Sequence, residues 1–430
     1  MANQKSTGKG RRSVGRSVNR SAKPKPRRTR VRPSAQAKAR KAKTAKRPLP
    51  KSKHTARKVA IVGTTAVAGA AALTAAQKEE LSRRVDTVQR ELDTLESRAQ
   101  LTGVYEEIGD IDQMLVDLPI QLEEMRSRGY VHNGQLEDKL EVLDEEWDDV
   151  RPRVEQLLKT RINVLDRTLS SAESKVENLN ATSDPTIKKA ETAVNTLETR
   201  IESAEQAIES QYEGVESQLR ASKRKLGQIS EMMDWIDSSD AITLREAEGP
   251  LEAVEAEWHT DGKDEGPDGI ILLTDQRILF EQREEIVTKK KFGLFKSDSE
   301  YIQKLHLEIE IDDIDDVSNK EEGGFLGMGK ADILELILSA NAPVSRARFH
   351  LKGEESSDWA EMIKQVVSGE IDNDRADEYV DEAEVAEVMA AAFPENCPNC
   401  YAQVPPQPRG IVTVECEFCG ETIVPTPAEG

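Results

Sequence analysis

The chain has 430 residues, 60 of them Lys or Arg and 80 Asp or Glu, with 37% hydrophobic and only 4% aromatic side chains. That is too polar for one large enzyme core and fits long solvated helices carrying small globular modules, two to four domains by length. The net charge of −20 is unevenly placed: residues 1–58 hold 22 Lys+Arg and no Asp or Glu, which leaves 38 basic against 80 acidic residues, a net −42, on the remainder.

Residues 1–58 contain almost no large apolar side chain, so they cannot offset the entropy of folding and are expected to form a disordered basic tail. Such a tail attracts phosphate-bearing surfaces by counterion release, whether DNA, RNA or acidic lipid, or else folds back onto the acidic body. Residues 59–77 form an apolar, Ala-rich segment. Val59–Ala76 gives 18 residues without a charge, at the lower limit of the about 20 that a membrane-spanning helix needs. Most of its positions are Ala, Gly or Thr, which suit a packed soluble helix as well as a span.

Residues 78–150 form a helical region, with Leu81, Val85, Val88, Leu92 and Leu95 on one face, a reset near Gly103, then Ile108, Ile111, Leu115, Leu118, Leu122 and Met125. Gly129 and Asn133-Gly134 mark a loop. The strongest heptad pattern covers 152–238. Pro152 suits a first helical turn, Val154, Leu158, Ile162, Leu165, Leu169 and Val176 follow, and "NLNATSDPT" breaks the pattern with Ser183 or Asp184 as N-cap. A second arm runs from Ile187 to Ile236. The expectation is an antiparallel coiled-coil hairpin that spaces modules or self-associates into a homo-oligomer.

From residue 245 the period changes. "GIILL" and "ILF" flank "TDQR" (274–277) as a hairpin, and strands follow at 304–311, 333–338 and 345–351. An amphipathic helix at 356–367 carries Trp359, Met362, Ile363 and Val366 on one face. This order, with "GIILLTDQRILF" and "IEIDDIDDV", resembles the bacterial PH-like and GRAM-like domains over about 245–368. The resemblance implies a small β-barrel with a C-terminal helix that binds lipid, peptide or protein. Within it, Lys289, Lys290, Lys291 and Lys296 surround Phe292, Leu294 and Phe295, an arrangement suited to an anionic membrane surface or to an ordinary edge hairpin. "GFLGMGKA" imitates a phosphate-binding loop, but Ala331 stands where Ser or Thr would hold magnesium.

An acidic linker helix is expected over 369–392. All four cysteines then follow as C-x2-C, fifteen residues, C-x2-C: Cys397, Cys400, Cys416 and Cys419. Each pair supplies two thiolates to a tetrahedral ion, and residues 393–424 resemble a zinc ribbon, which implies structural Zn2+ with no open position for catalysis. Two disulfides or a redox pair are the rival readings. Reduced thiolates point to a cytosolic body, and the positive-inside tendency keeps the tail on the same side. One crossing cannot satisfy both, so 59–76 is expected to pack on protein or lie against a membrane.

The five histidines are scattered along the sequence, and no nucleophile elbow, intact P-loop or dinucleotide fingerprint is present. The fold class expected is multidomain α+β. The function expected is a non-enzymatic scaffold: tail and PH-like module hold acidic lipid or nucleic acid, coiled coil and ribbon recruit protein. A nucleoid- or RNA-associated protein and a single-pass membrane protein are the alternatives.

Overall fold

The computed structural model describes residues 74–260, 266–289, 298–322 and 331–426. The basic tail, most of the Ala-rich segment and the phosphate-loop imitation lie outside the described residues. The architecture mixes helix and sheet.

Five helices come first: α1 (Ala75–Arg98), α2 (Thr102–Ser127), α3 (Leu136–Glu177), α4 (Asp184–Glu209) and α5 (Glu213–Asp237). A capping box starts α1, in which the Thr74 side chain accepts from the Gln77 N–H and the Gln77 side chain accepts in return from the Thr74 N–H. The expected stripe Leu81, Val85, Val88, Leu92 and Leu95 is buried. The reset between α1 and α2 falls at Leu101, held at φ 55° with its side chain 1% exposed. Burying a leucine is worth about 1.5–3 kcal/mol, enough to offset the roughly 1–2 kcal/mol of a left-handed backbone.

Two expectations for the helices are corrected. Pro152 does not open a helix; α3 runs through it for 42 residues. Pro152 removes one ladder bond, at about 3 kcal/mol. Against that, Trp147, Val150, Val154 and Leu158 are buried around it. Arg151 pairs with Asp112 on α2, and the Trp147 indole donates to Asp112 Oδ1 at 2.8 Å. The second arm is also not one helix. It breaks at 210–212, where Tyr212 turns inward, meets Trp147 edge-on at 6.3 Å and donates to Glu107 at 2.5 Å. One continuous core joins α1 to α5 as a bundle, within which α3 and α4 pack along each other.

The next module is an antiparallel seven-stranded sheet: β1 (Pro250–Trp258), β2 (Asp268–Thr274), β3 (Arg277–Lys289), β4 (Asp298–Glu310), β5 (Ile314–Glu322), β6 (Ala331–Leu338) and β7 (Arg346–Leu351). Their order is β4-β3-β2-β1-β7-β6-β5, two meanders joined where β1 meets β7. The unbroken apolar run in β2 has a cause: both faces are covered. Leu272 and Leu279 join the helical core, while Ile271, Leu273, Ile278 and Phe280 join a second core. Helix α6 (Ser356–Val367) closes that second core with Trp359, Ile363 and Val366. Helix α7 (Asp377–Ala391) leads to a C-terminal hairpin of β8 (Val414–Glu415) and β9 (Thr422–Ile423).

The α2–α3 loop ties the bundle to the segment before α7. Gly134 N–H donates to Asp374 O at 2.8 Å, and Ala376 N–H donates to Val131 O at 2.8 Å. A Cβ on Gly134 would sit 2.6 Å from Arg375 O and 2.8 Å from Ala376, all backbone that cannot swing away. Gly134→Ala is therefore expected to cost about 1–3 kcal/mol, read as a lowered denaturant midpoint at unchanged m-value. An unshifted midpoint would show that this clasp is loose in solution.

Candidate metal centre

The four cysteines come together at the C-terminal hairpin. Cys397 Sγ lies 3.7 Å from Cys419 Sγ, and Cys400 Sγ 3.6 Å from Cys416 Sγ. All four sulfurs fall within 4.8 Å of one another. A disulfide needs about 2.05 Å, whereas four thiolates at about 2.3 Å around a tetrahedral ion stand roughly 3.8 Å apart. The sulfurs thus fit a four-coordinate metal.

Two similar turns build the cluster. In the first, Tyr401 N–H donates to Cys397 O and Cys397 N–H to Ala402 O; in the second, Gly420 N–H donates to Cys416 O and Cys416 N–H to Glu421 O, all at 2.8–2.9 Å. The residue after each second cysteine is left-handed: Gly420 at φ 73° and Tyr401 at φ 59°. Glycine adopts this freely, so Gly420 relieves the second turn while Tyr401 bears the strain of the first. Hydrogen bonds from the Phe418 and Cys419 N–H groups hold the Cys416 thiol down at about 7. At Cys400 the Ala402 N–H likewise pulls the thiol down, but desolvation and the three neighbouring sulfurs outweigh it and push the thiol up to about 12. Four thiolates at this spacing repel one another, and a dication relieves that repulsion.

The "TDQR" turn does more than reverse the chain. Thr274 Oγ accepts from the Gln276 and Arg277 N–H groups and donates to Glu248. Arg277 grips Glu248 through Nε and Nη2 at 2.8 and 2.9 Å and also pairs with Glu308. Burial lowers the Arg277 pKa, but the bonds to Glu248 and Glu308 outweigh it and raise it above the ordinary value. The Asp275 carboxylate accepts from Gly249 N–H at 2.9 Å and from Arg409 at 2.8 Å, and pairs with Arg375. One buried carboxylate thus joins the sheet, the segment before α7 and the cysteine module.

His132, fully buried, completes this hub from the α2–α3 loop, with Nε2 3.5 Å from Asp275 Oδ2. Asp275 is already held by two guanidiniums, so the attraction it offers an imidazolium is small. Burial, then the Arg375 charge, lowers the His132 pKa to about 3. The unfolded imidazole takes its proton near 6.5, the folded one only near 3. Stability is thus complete above about pH 6.5 and falls as pH drops toward 3, by up to about 1.4 kcal/mol per unit. His132→Asn is expected to flatten ΔG of unfolding between pH 6.5 and 5, above the main carboxylate range; an equal slope in both proteins would assign the loss elsewhere.

The sequence-predicted anion site falls almost wholly outside the described residues. Lys289 supplies the last position of β3, opposite Asp298, while Lys290, Lys291, Phe292, Phe295 and Lys296 lie outside them. Another cationic concavity stands among the described residues. Between α3 and α4 a groove of about 610 Å³ is lined by Arg167, Lys175, Lys188, Lys189 and Arg200, with Thr168 and Thr192 among its hydroxyls. Heptad spacing gave no sign that both helices turn their cations to one side. The histidines also need correction: folding brings His259 and His350 beside Glu257. No helix among the described residues is long and apolar enough to cross a membrane.

No protein-family model and no curated protein matches the chain. Among solved structures, "Autoinhibited Vav1" aligns at 14% identity over 80% of this chain and 64% of that chain, with a TM-score of 0.22. The "Apo structure of the activated truncation of Vav1" aligns at 13% identity over 68% and 77% of the two chains, also at 0.22. The chain spans just under two thirds of the first of these. Likenesses at such TM-scores carry no weight for fold or function.

Proposed function

We propose that this protein is a non-enzymatic scaffold: a zinc ribbon and a helical bundle recruit protein, and a basic tail with a PH-like module tethers an anionic surface. The observation that carries the reading is the exposure of apolar tips on the cysteine module. Tyr401 and Phe418, one from each turn, are 80% and 77% exposed, with Val412 and Val424 half exposed beside them. Arg409, the module's one cation, is spent on Asp275 and Asp372. An exposed aromatic surface without free cations suits a protein partner better than a nucleic acid.

Zinc is the ion a closed four-thiolate site takes, in a structural role. The PH-like assignment draws support from two antiparallel meanders followed by one helix over the second core. The tether rests on the 22 cations of residues 1–58 and gains the groove between α3 and α4 as a second anion-facing element. The bundle offers a surface for self-association.

Flotation with vesicles of acidic phospholipid, alongside duplex DNA titration, tests the tether. The full chain is expected to bind vesicles in a salt-sensitive manner. Deleting residues 1–58 and replacing Lys289, Lys290 and Lys291 by Glu should remove that binding. Binding to DNA alone, lost on deleting the tail, would favour the nucleic-acid-associated reading; binding to neither would end the tether.

A further inference from the structure

We infer a second metal site, distinct from the cysteine cluster, formed by Glu257, His259 and His350. It stands independently of the proposed function. Glu257 on β1 lies directly across from His350 on β7, and His259 follows β1, its N–H donating to Arg348 O at 2.9 Å as the ladder's next bond. One donor atom from each of the three lies within 4.8 Å of the others. His350 Nδ1 stands 3.9 Å from Glu257 Oε2, too far for a hydrogen bond and near the roughly 3.4 Å between two ligands of one tetrahedral ion at 2.0–2.2 Å. A small side-chain rotation closes the difference.

Two features orient the donors. Glu257 Oε1 is occupied by Gly266 N–H at 2.8 Å, which leaves Oε2 facing His350, the kind of outer support that fixes a metal-bound carboxylate. His259 is buried at 9% exposure, which restricts its ring, and that ring lies 6.3 Å from the ring of His350. Two imidazoles and a carboxylate suit Zn2+, and also Ni2+ or Cu2+, with one coordination position left for water or an exogenous ligand.

The location gives the ion a mechanical role. β1 and β7 share only three partnered positions, Ala256–Leu351, Glu257–His350 and Trp258–Phe349, and this seam joins the two meanders. An ion held by both strands would brace it.

The test is a titration of the full-length protein, its cysteine site already loaded, with Zn2+ in buffer free of chelator. A second equivalent is expected, weakened at least tenfold in His259→Asn, His350→Asn and Glu257→Gln while the first is retained. Added Zn2+ should raise the melting temperature of the parent protein and not of these variants. With Co2+, the second equivalent should add visible bands without the thiolate charge-transfer absorption of the first. A parent protein holding one equivalent only, or a second equivalent that none of the three substitutions weakens, would overturn the assignment. Variants whose metal-free melting temperature matches the parent show that any loss is local.

Discussion

Removing the metal, or replacing Cys397 by Ala, is expected to unfold residues 393–424 and to leave the helical bundle and the sheet intact. The module's own core is very small: Cys397, Val404, Cys416 and Ile423 are its buried members, and two of those are ligands. Its strands are two residues each. Fixing a residue costs about 1–2 kcal/mol of backbone entropy, and four buried side chains cannot offset that over some thirty residues. Metal binding, worth about 10 kcal/mol or more in small structural sites, supplies the difference. Cys397 is the stringent choice because its sulfur is fully buried and its backbone forms both hydrogen bonds of the first turn. Hydrogen exchange reads the outcome amide by amide. Protection at Cys397, Tyr401, Cys416 and Gly420 should vanish with chelator or in the variant, while that along α3 stays. Protected amides at Cys416 and Gly420 in metal-free protein would mean that the turns stand without an ion.

The sequence made some elements legible and hid others, for identifiable reasons. Buried stripes in α1 and α2 were readable because one face of each helix meets one core, so period and burial coincide. The cysteine centre was readable because each pair sits within one turn, where spacing alone sets geometry. Pro152 misled because its local penalty competes with a seam formed by distant residues, Asp112 among them. The break at Tyr212 was invisible for a similar reason: its cause is the ring of Trp147, far away in the chain. His259 and His350 are separated by 91 positions, and only the β1–β7 pairing places them side by side. "TDQR" was recognised as a turn and as a family resemblance, yet its buried ion chemistry depended on Glu248, Arg375 and Arg409, three residues drawn from three segments.

Asp275→Asn is expected to destabilise the protein by about 3 kcal/mol and to uncouple the cysteine module from the sheet. The substitution keeps the shape and still offers an oxygen to Gly249 N–H, but it leaves Arg375 and Arg409 without their shared counter-charge. Arg375 is 2% exposed and Arg409 15%, so neither guanidinium can recover its hydration. Removing one partner of a buried ion pair typically costs about 3–5 kcal/mol. Asp372 softens the loss here, since it lies 3.2 Å from Arg375 and 3.3 Å from Arg409, although at 45% exposure its field is weakened by solvent. The second effect follows from geometry. Gly410, beside Arg409, packs so closely on Glu246 that a Cβ would stand 2.1 Å from its carbonyl oxygen, so releasing Arg409 also loosens that contact. Thermal unfolding should then separate into two transitions, the cysteine module opening first, with metal still bound. Arg409→Met in the Asn background separates charge from packing. If Asp275 acts mainly by neutralising Arg409, the double variant regains part of the lost stability. A loss under about 1 kcal/mol for Asp275→Asn, with one cooperative transition, would show that the modules are held together by their apolar contacts instead.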